Sequence, residues 1–137
     1  MSTFNEIITL TNAGDIAKAR DGFIPQAKVR SITVDACVDT AAWTLVINEE
    51  TRRKLGLELE GTVFSTLADG TVKEYAMTEA VKFRWKDREH AMPACLVPTA
   101  DDVLFGALPM EALDVYADPV DECLKGRHGD KQVYRLK

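Results

Sequence analysis

Short segments in which apolar and polar residues alternate recur along most of the chain, and turn-forming residues separate them. From Ser31 to Val38, every second side chain is apolar, so these side chains share one face of a β-strand. The segment AVKFRW repeats this alternation, and a turn at Asp69-Gly70 joins two further apolar stretches. Many short strands with turns between them are typical of a sandwich or barrel, so the sequence predicts an all-β fold.

Further segments extend this prediction along the chain. We expect strands at NEIITLTN, TLVI, AMPACLVP and VLFG, and Pro93 places the third of these at a sheet edge or a bulge. A short helix is expected after Asn48, which can cap it, and Gly56 would end it. ALPMEALD predicts a second short helix, whereas DIAKARDG is compatible with a helical turn or a loop. The last residues are expected to turn at Gly129 and to end in a strand.

Charge and composition argue against several kinds of partner and site. The 137 residues carry a net charge of -5 with a pI near 5.0, which disfavours nucleic acid as a partner. The three cysteines, Cys37, Cys95 and Cys123, include no Cys-x-x-Cys pair, so neither a disulfide framework nor a zinc site is indicated. No segment approaches the ~18 consecutive apolar residues of a membrane helix. We therefore expect a cytoplasmic protein with no membrane partner.

The most informative motif is Asp39-Thr40-Ala41-Ala42, directly after the alternating strand. Strand alternation places Asp39 on the face opposite the apolar side chains. Aspartate and threonine are common where a strand ends in a turn, so the motif alone says little about function. The order of features says more: an apolar strand, this motif, TLVI, a short helix ending in KLGL, a hairpin at LADGTV, and VLFGALPMEALDVYADP.

This order resembles that of the retropepsin-like aspartic proteases, which are single-domain, dimeric relatives of retroviral protease and pepsin. The similarity covers residues 32–119, and it implies that residues 1–137 form one domain. The implied fold is an all-β, retropepsin-like barrel with one or two short helices, assembled as a homodimer.

The resemblance also assigns roles to individual residues. The family's Asp-Thr/Ser-Gly-Ala motif carries the catalytic aspartate, which corresponds to Asp39, and Thr40 would hydrogen-bond to the facing subunit beneath the active-site turn. Ala41 and Ala42 would line the floor of the site. The remaining matches are the flap over the substrate, at Ala68, Asp69 and Gly70, and the psi-shaped loop under the turn, at Leu104, Phe105 and Gly106.

The implied activity is that of an aspartic endopeptidase acting on a peptide or protein substrate. Two carboxylates share one proton, so that one activates a water molecule while the other donates a hydrogen bond to the substrate carbonyl. The chain has one such motif, so the second carboxylate would be Asp39 of another copy. No metal or organic cofactor is implied, because the reacting species is water.

Three positions depart from the family pattern. Ala41 replaces the family's glycine, and Ala107 replaces an arginine that links the subunits of retroviral relatives. Trp43 stands where the family has a small or polar residue, and we expect it to pack in the core or the dimer interface rather than to form a substrate subsite. Because of Ala41, the alternative function is that of a catalytically impaired dimer that serves as a peptide-binding or regulatory module. A monomeric β domain is the remaining alternative.

Overall fold

A computed structural model describes residues 3–136, which form mostly β-strands. The strands of this range are β1 (Phe4–Asn12), β2 (Ser31–Val38), β3 (Leu45–Ile47), β4 (Leu59–Thr66), β5 (Val72–Trp85), β6 (Arg88–Leu96), β7 (Leu104–Phe105), β8 (Val115–Asp118) and β9 (Cys123–Gly126). The α-helices of this range are α1 (Ala13–Arg20), α2 (Glu49–Leu55) and α3 (Ala107–Ala112), and Gln26–Lys28 forms a 3₁₀ turn. The predicted all-β class is confirmed, with three short helices where one or two were expected. None of the helices in residues 3–136 has both the length and the apolar character needed to cross a membrane.

Local sequence signals place several elements where they were expected. The Asn48 side chain accepts a hydrogen bond from the Thr51 amide at 2.9 Å and so caps α2. The helix ends at Gly56, whose left-handed backbone has a φ of 62°. The segment after β1, which was compatible with a helical turn or a loop, forms helix α1. The side chain of Asn12 caps this helix by accepting a hydrogen bond from the Asp15 amide.

Strand β5 is longer than expected, because AVKFRW continues it rather than forming a strand of its own. The pairing of β5 with β6 shifts register between Met77 and Ala80. This bulge lets β5 continue as one strand. Pro93 lies at this bulge and not at a sheet edge, since β6 pairs with β5 on one side and β3 on the other. The Thr78 hydroxyl at the bulge accepts from the amide of Ala94 at 3.1 Å.

Strands β1 to β7 form one sheet. They pair in the order β1-β2-β7-β3-β6-β5-β4, and β1 also pairs with β5. Six strands therefore pair in succession around the core, and β4 adds to β5 as the outer strand of a hairpin. The core is apolar, and the rings of Phe83 and Phe105 meet edge to face within it at 5.7 Å. Strands β8 and β9 form a separate two-stranded sheet that the sequence did not predict.

The short strand β7 inserts between β2 and β3. It runs parallel to β2, pairing Leu104 with Cys37, and antiparallel to β3, pairing Phe105 with Leu45. Gly106 follows, and a Cβ atom there would lie 2.4 Å from the carbonyl oxygens of both Ala42 and Thr44. A glycine is therefore required, because any side chain would push the segment after β2 away from β7.

The predicted strand at the C-terminus is wrong for residues up to Leu136, which lack strand pairing apart from a bridge between His128 and Lys131. A side chain holds this tail instead. The buried Asp114 carboxylate accepts from the Val133 amide at 2.9 Å and contacts Nδ1 of His128 at 2.7 Å. Nearby, Arg88 donates to the carbonyl oxygen of Asp114 at 2.9 Å. The hydrogen bonds from Val133 and then His128 hold the pKa of Asp114 below its ordinary value.

Gly106→Ala tests the close approach at the end of β7. We expect the free energy of unfolding to fall by about 1–3 kcal/mol, because the added methyl group must displace backbone. Denaturant unfolding measures this change. Gly14→Ala in helix α1 is the matched control, and its effect should stay under about 1 kcal/mol because the helix accepts alanine. Equal effects of the two substitutions would contradict the argument.

Asp114→Asn tests the anchor of the C-terminal tail. Because the folded-state pKa of Asp114 is lowered, its stabilisation is present above the ordinary value of 3.8 and is lost as the pH falls through the lower folded value. Asparagine tolerates the left-handed backbone of this residue, which has a φ of 56°. The variant should therefore fold but be less stable than the wild type at pH 7, and the difference should shrink as the pH falls through the ordinary value of 3.8 and below. Urea unfolding across this range measures it, with Asp102→Asn in an exposed loop as the control.

Candidate functional site

Asp39 lies in a tight loop directly after β2, and the hydrogen bonds of this loop fix its position. Its amide donates to the carbonyl oxygen of Phe105 at 3.1 Å, which ties the loop to β7. Its carboxylate Oδ1 accepts from the Ala41 amide at 2.9 Å, and its carbonyl oxygen accepts from the Ala42 amide at 3.1 Å. The strand ends at Val38, so this turn rather than strand alternation directs the carboxylate.

The loop is also tied to the first turn of α3. The Ala107 amide donates to the carbonyl oxygen of Ala42 at 2.8 Å, and the Leu108 amide donates to that of Trp43 at 3.0 Å. Leu104, Phe105 and Gly106 therefore lie next to the segment that carries Asp39. The role of each of these residues stays a prediction.

Ala41 has a backbone conformation that any L-residue can adopt. The non-glycine residues with positive φ within residues 3–136 are Lys86, Asp114 and Glu122, and Ala41 is not among them. Ala41 is exposed, as is Thr40 beside it, whereas Ala42 is half-buried. The methyl group of Ala41 therefore introduces no left-handed backbone strain into the loop.

The hairpin between β4 and β5 turns where the sequence predicted. The Leu67 amide donates to the carbonyl oxygen of Thr71 at 2.7 Å, and Gly70 has a φ of 86°. Ala68, Asp69 and Gly70 form the exposed tip. The Thr71 hydrogen bonds lower the pKa of the Asp69 carboxyl group, so this turn is ordered by its own side chain.

A cavity of about 190 Å³ separates the Asp39 loop from this hairpin. The loop contributes Ala41, Ala42 and Trp43, and the hairpin contributes Leu67 and Tyr75 from below its tip. The other lining residues come from strands and their ends: Val46, Ser65, Thr66, Cys95, Val97 and Leu104. The cavity lies beside the candidate catalytic residue and holds no charged side chain. It suits an uncharged group of a ligand.

Most residues of this cavity were not found from the sequence. Tyr75 lies in β5, whereas Cys95 lies near the end of β6 and Val97 directly follows that strand, and no local pattern connects these two segments. Ala68, Asp69 and Gly70 do not line the cavity, because the stem of the hairpin is the part that reaches the loop. Burial raises the pKa of the Cys95 thiol, which therefore stays neutral and serves as an apolar wall.

No metal site accompanies these residues in the described part of the chain. Within residues 3–136, no group of three or more histidine, cysteine, aspartate or glutamate side chains is arranged to hold a metal ion.

Comparisons with known proteins bear on the identity of this arrangement. A solved structure, a retropepsin-like aspartic protease from Rickettsia conorii, is similar over 81% of this chain and 82% of that chain, with 19% sequence identity and a TM-score of 0.40. No curated protein matches the sequence. The family model for aspartyl protease matches residues 25–108, which include the Asp39 loop, the hairpin and β7. Because this match covers more than half of the sequence, the chain belongs to the aspartyl protease family.

Proposed function

We propose that the protein is an aspartic endopeptidase whose active site is shared by two copies of the chain, with Asp39 of each copy as the catalytic pair. The observation that carries the proposal is the hydrogen-bonded loop at Asp39. This loop holds a carboxylate against β7, at the edge of an uncharged cavity, within the segment that matches the aspartyl protease family. The substrate class is an unstructured peptide or protein segment.

The chemistry needs two carboxylates that hold one proton between them. One accepts a proton from water as the water attacks the peptide carbonyl carbon, and the other donates its proton in a hydrogen bond to the carbonyl oxygen. The tetrahedral intermediate then breaks its C–N bond as a carboxyl group gives a proton to the departing amine nitrogen, which leaves one proton on the pair. Two negative charges at ~3 Å repel, so the pair titrates as one unit.

A second copy is required because Asp-Thr occurs once in the sequence, at Asp39-Thr40. A two-fold axis beside this dipeptide brings the two carboxylates together. Thr40 would then support the loop at the axis, with Ala41 and Ala42 as the floor. The hairpin tip, Ala68 to Gly70, would cover the bound peptide as a flap. No cofactor is needed for this reaction.

The proposal treats residues 1–137 as one domain. One apolar cluster connects strands from both ends of the matched segment, from Ile8 in β1 to Leu124 in β9. A cytoplasmic location stays a prediction.

The alternative of a dimeric peptide-binding or regulatory module with impaired chemistry rests on Ala41. Its backbone conformation weakens the conformational part of that argument, since glycine is not needed there for a left-handed φ. The other argument for impaired chemistry is that the Ala41 methyl group crowds the substrate main chain, and the Ala41→Gly experiment below tests it.

Asp39→Asn tests the assignment of the catalytic residue. Hydrolysis of an unstructured peptide at mildly acidic pH should fall by about 10²–10⁴-fold or more, because the amide cannot act as a general base. The wild type should be inhibited by a statine-type mimic of the transition state. Asp35→Asn, at an exposed position of β2, is the matched control and should keep its activity.

Mixing the two proteins tests whether the site is shared. After subunit exchange in an equal mixture, about one quarter of random dimers contain two Asp39 residues, so activity should fall to about one quarter of that of the wild type alone at the same total concentration. Independent sites would instead leave about half. Full activity in Asp39→Asn would overturn the mechanism.

Ala41→Gly separates the enzyme from the impaired module. If the wild type cleaves peptides, glycine should change kcat/KM by less than about tenfold, since no backbone strain is relieved. A wild type inert towards all peptides, together with a cleaving Ala41→Gly variant, would favour the module. Steady-state kinetics on one peptide library measures both.

A further inference from the structure

A groove of about 400 Å³ lies between the outer face of the sheet and the segment 13–29, which includes α1. Thr9 and Thr11 of β1 line this groove from the face of the strand opposite the apolar core. The pairing of β1 with β5 places Arg84 opposite Thr9 and Lys82 opposite Thr11, and both cations also line the groove. We call this space the polar groove and these four side chains its floor.

An ion pair holds the wall of the polar groove in place. Ile16, Gln26 and Val29 form this wall. Arg30 follows the wall segment directly, and its amide and guanidinium donate to the buried Asp15 carboxylate at 2.8, 2.9 and 3.0 Å. A helix that covers a sheet normally packs apolar side chains against it, whereas the floor beneath this one is polar. The fold therefore keeps a preformed polar space, which suits a polar ligand.

The charges of the polar groove favour an anion. The chain has a net charge of -5, but Lys82 and Arg84 line the groove against the one carboxylate of Glu89. Glu89 pairs with Lys82 at 3.0 Å, and because both side chains are partly exposed, an incoming anion can replace Glu89 at little cost. Within residues 3–136, the Arg84 guanidinium donates one hydrogen bond, from Nε to the Lys86 carbonyl oxygen at 2.7 Å. Its terminal nitrogens can therefore bind a phosphate or carboxylate group.

Hydroxyl groups beside these cations favour a ligand that itself carries hydroxyls. The hydroxyls of Thr11 and Ser31 lie 2.9 Å apart, and Ser31 also lines the polar groove. Each hydroxyl has two acceptor lone pairs besides its donor, so this pair has capacity for further hydrogen bonds. The Gln26 amide adds donors and an acceptor, while Ile16 and Val29 offer apolar surface to the carbon atoms of a ligand. Together these groups suit a sugar ring.

We propose that the polar groove binds a small anion that carries hydroxyl groups, of the chemical class of sugar phosphates. The two cations of the floor bind the anionic group, and the hydroxyl and amide side chains bind the hydroxyls of the ligand. The volume of about 400 Å³ is that of an ordinary small-molecule site. This site is separate from the proposed protease site, because Ser31 begins β2 whereas Asp39 follows the other end of that strand.

Amide NMR titrations of full-length Asp39→Asn protein test the proposal without self-cleavage. The three probes are inorganic phosphate, glucose and glucose 6-phosphate. Glucose 6-phosphate should shift amide signals of β1, α1 and β5, and it should bind at least about tenfold more tightly than either of the other probes. The reason is that it alone makes the charge-assisted hydrogen bonds and the hydroxyl contacts together.

Two substitutions in the groove should change the dissociation constant of glucose 6-phosphate in opposite directions. Arg84→Gln should raise it by about tenfold or more, because a charge-assisted contact is lost. Glu89→Gln should lower it by about threefold or more, because a like charge beside the ligand is removed. Arg53→Gln is the matched control, since Arg53 is 76% exposed in α2 and lies outside the groove, and it should leave the dissociation constant unchanged.

The outcomes separate this inference from the proposed function. The absence of shifts at the polar groove with all three probes overturns the inference, and so does an unchanged dissociation constant in Arg84→Gln. A hexapeptide of glutamate that binds in the groove more tightly than glucose 6-phosphate overturns the assigned class of ligand. Peptide hydrolysis enters none of these measurements, so the inference and the proposed function can fail independently.

Discussion

The insertion of β7 between β2 and β3 is the constraint on which the rest of the site depends. Its pairing with both strands brings Phe105 beneath Asp39, and the Asp39 amide then bonds to the Phe105 carbonyl oxygen at 3.1 Å. Gly106 permits this approach, since a side chain there would meet two carbonyl oxygens at 2.4 Å. The position of the Asp39 loop therefore follows from strand pairing between segments about 65 residues apart in sequence.

The same contact continues into helix α3. After Gly106, the amides of Ala107 and Leu108 bind the carbonyl oxygens of Ala42 and Trp43. The loop that carries the Asp39 carboxylate and the first turn of α3 are thus joined by backbone hydrogen bonds. These bonds matter for the proposed chemistry, because a displacement of ~1 Å of a catalytic group can cost about 100-fold in rate.

Local signals were sufficient for part of the fold. Helix α2 was predicted with both of its ends, because Asn48 and Gly56 act on backbone groups within a few residues. The full length of β5 was not predicted, because its bulge at Thr78 depends on pairing with β6. Strands β8 and β9 were missed because they are short, and the tail lacks its expected strand because the Asp114 carboxylate already binds the Val133 amide.

The sequence by itself determined the strand-rich class, the Asp39 motif, the hairpin turn and the family, because alternation, caps and motif order are properties of neighbouring residues. Only the tertiary structure decided how Leu67, Tyr75 and Cys95 meet beside the loop, and that the Leu108 amide at the start of α3 bonds to the carbonyl oxygen of Trp43. Those arrangements arise from contacts between distant segments, whose geometry no local pattern encodes.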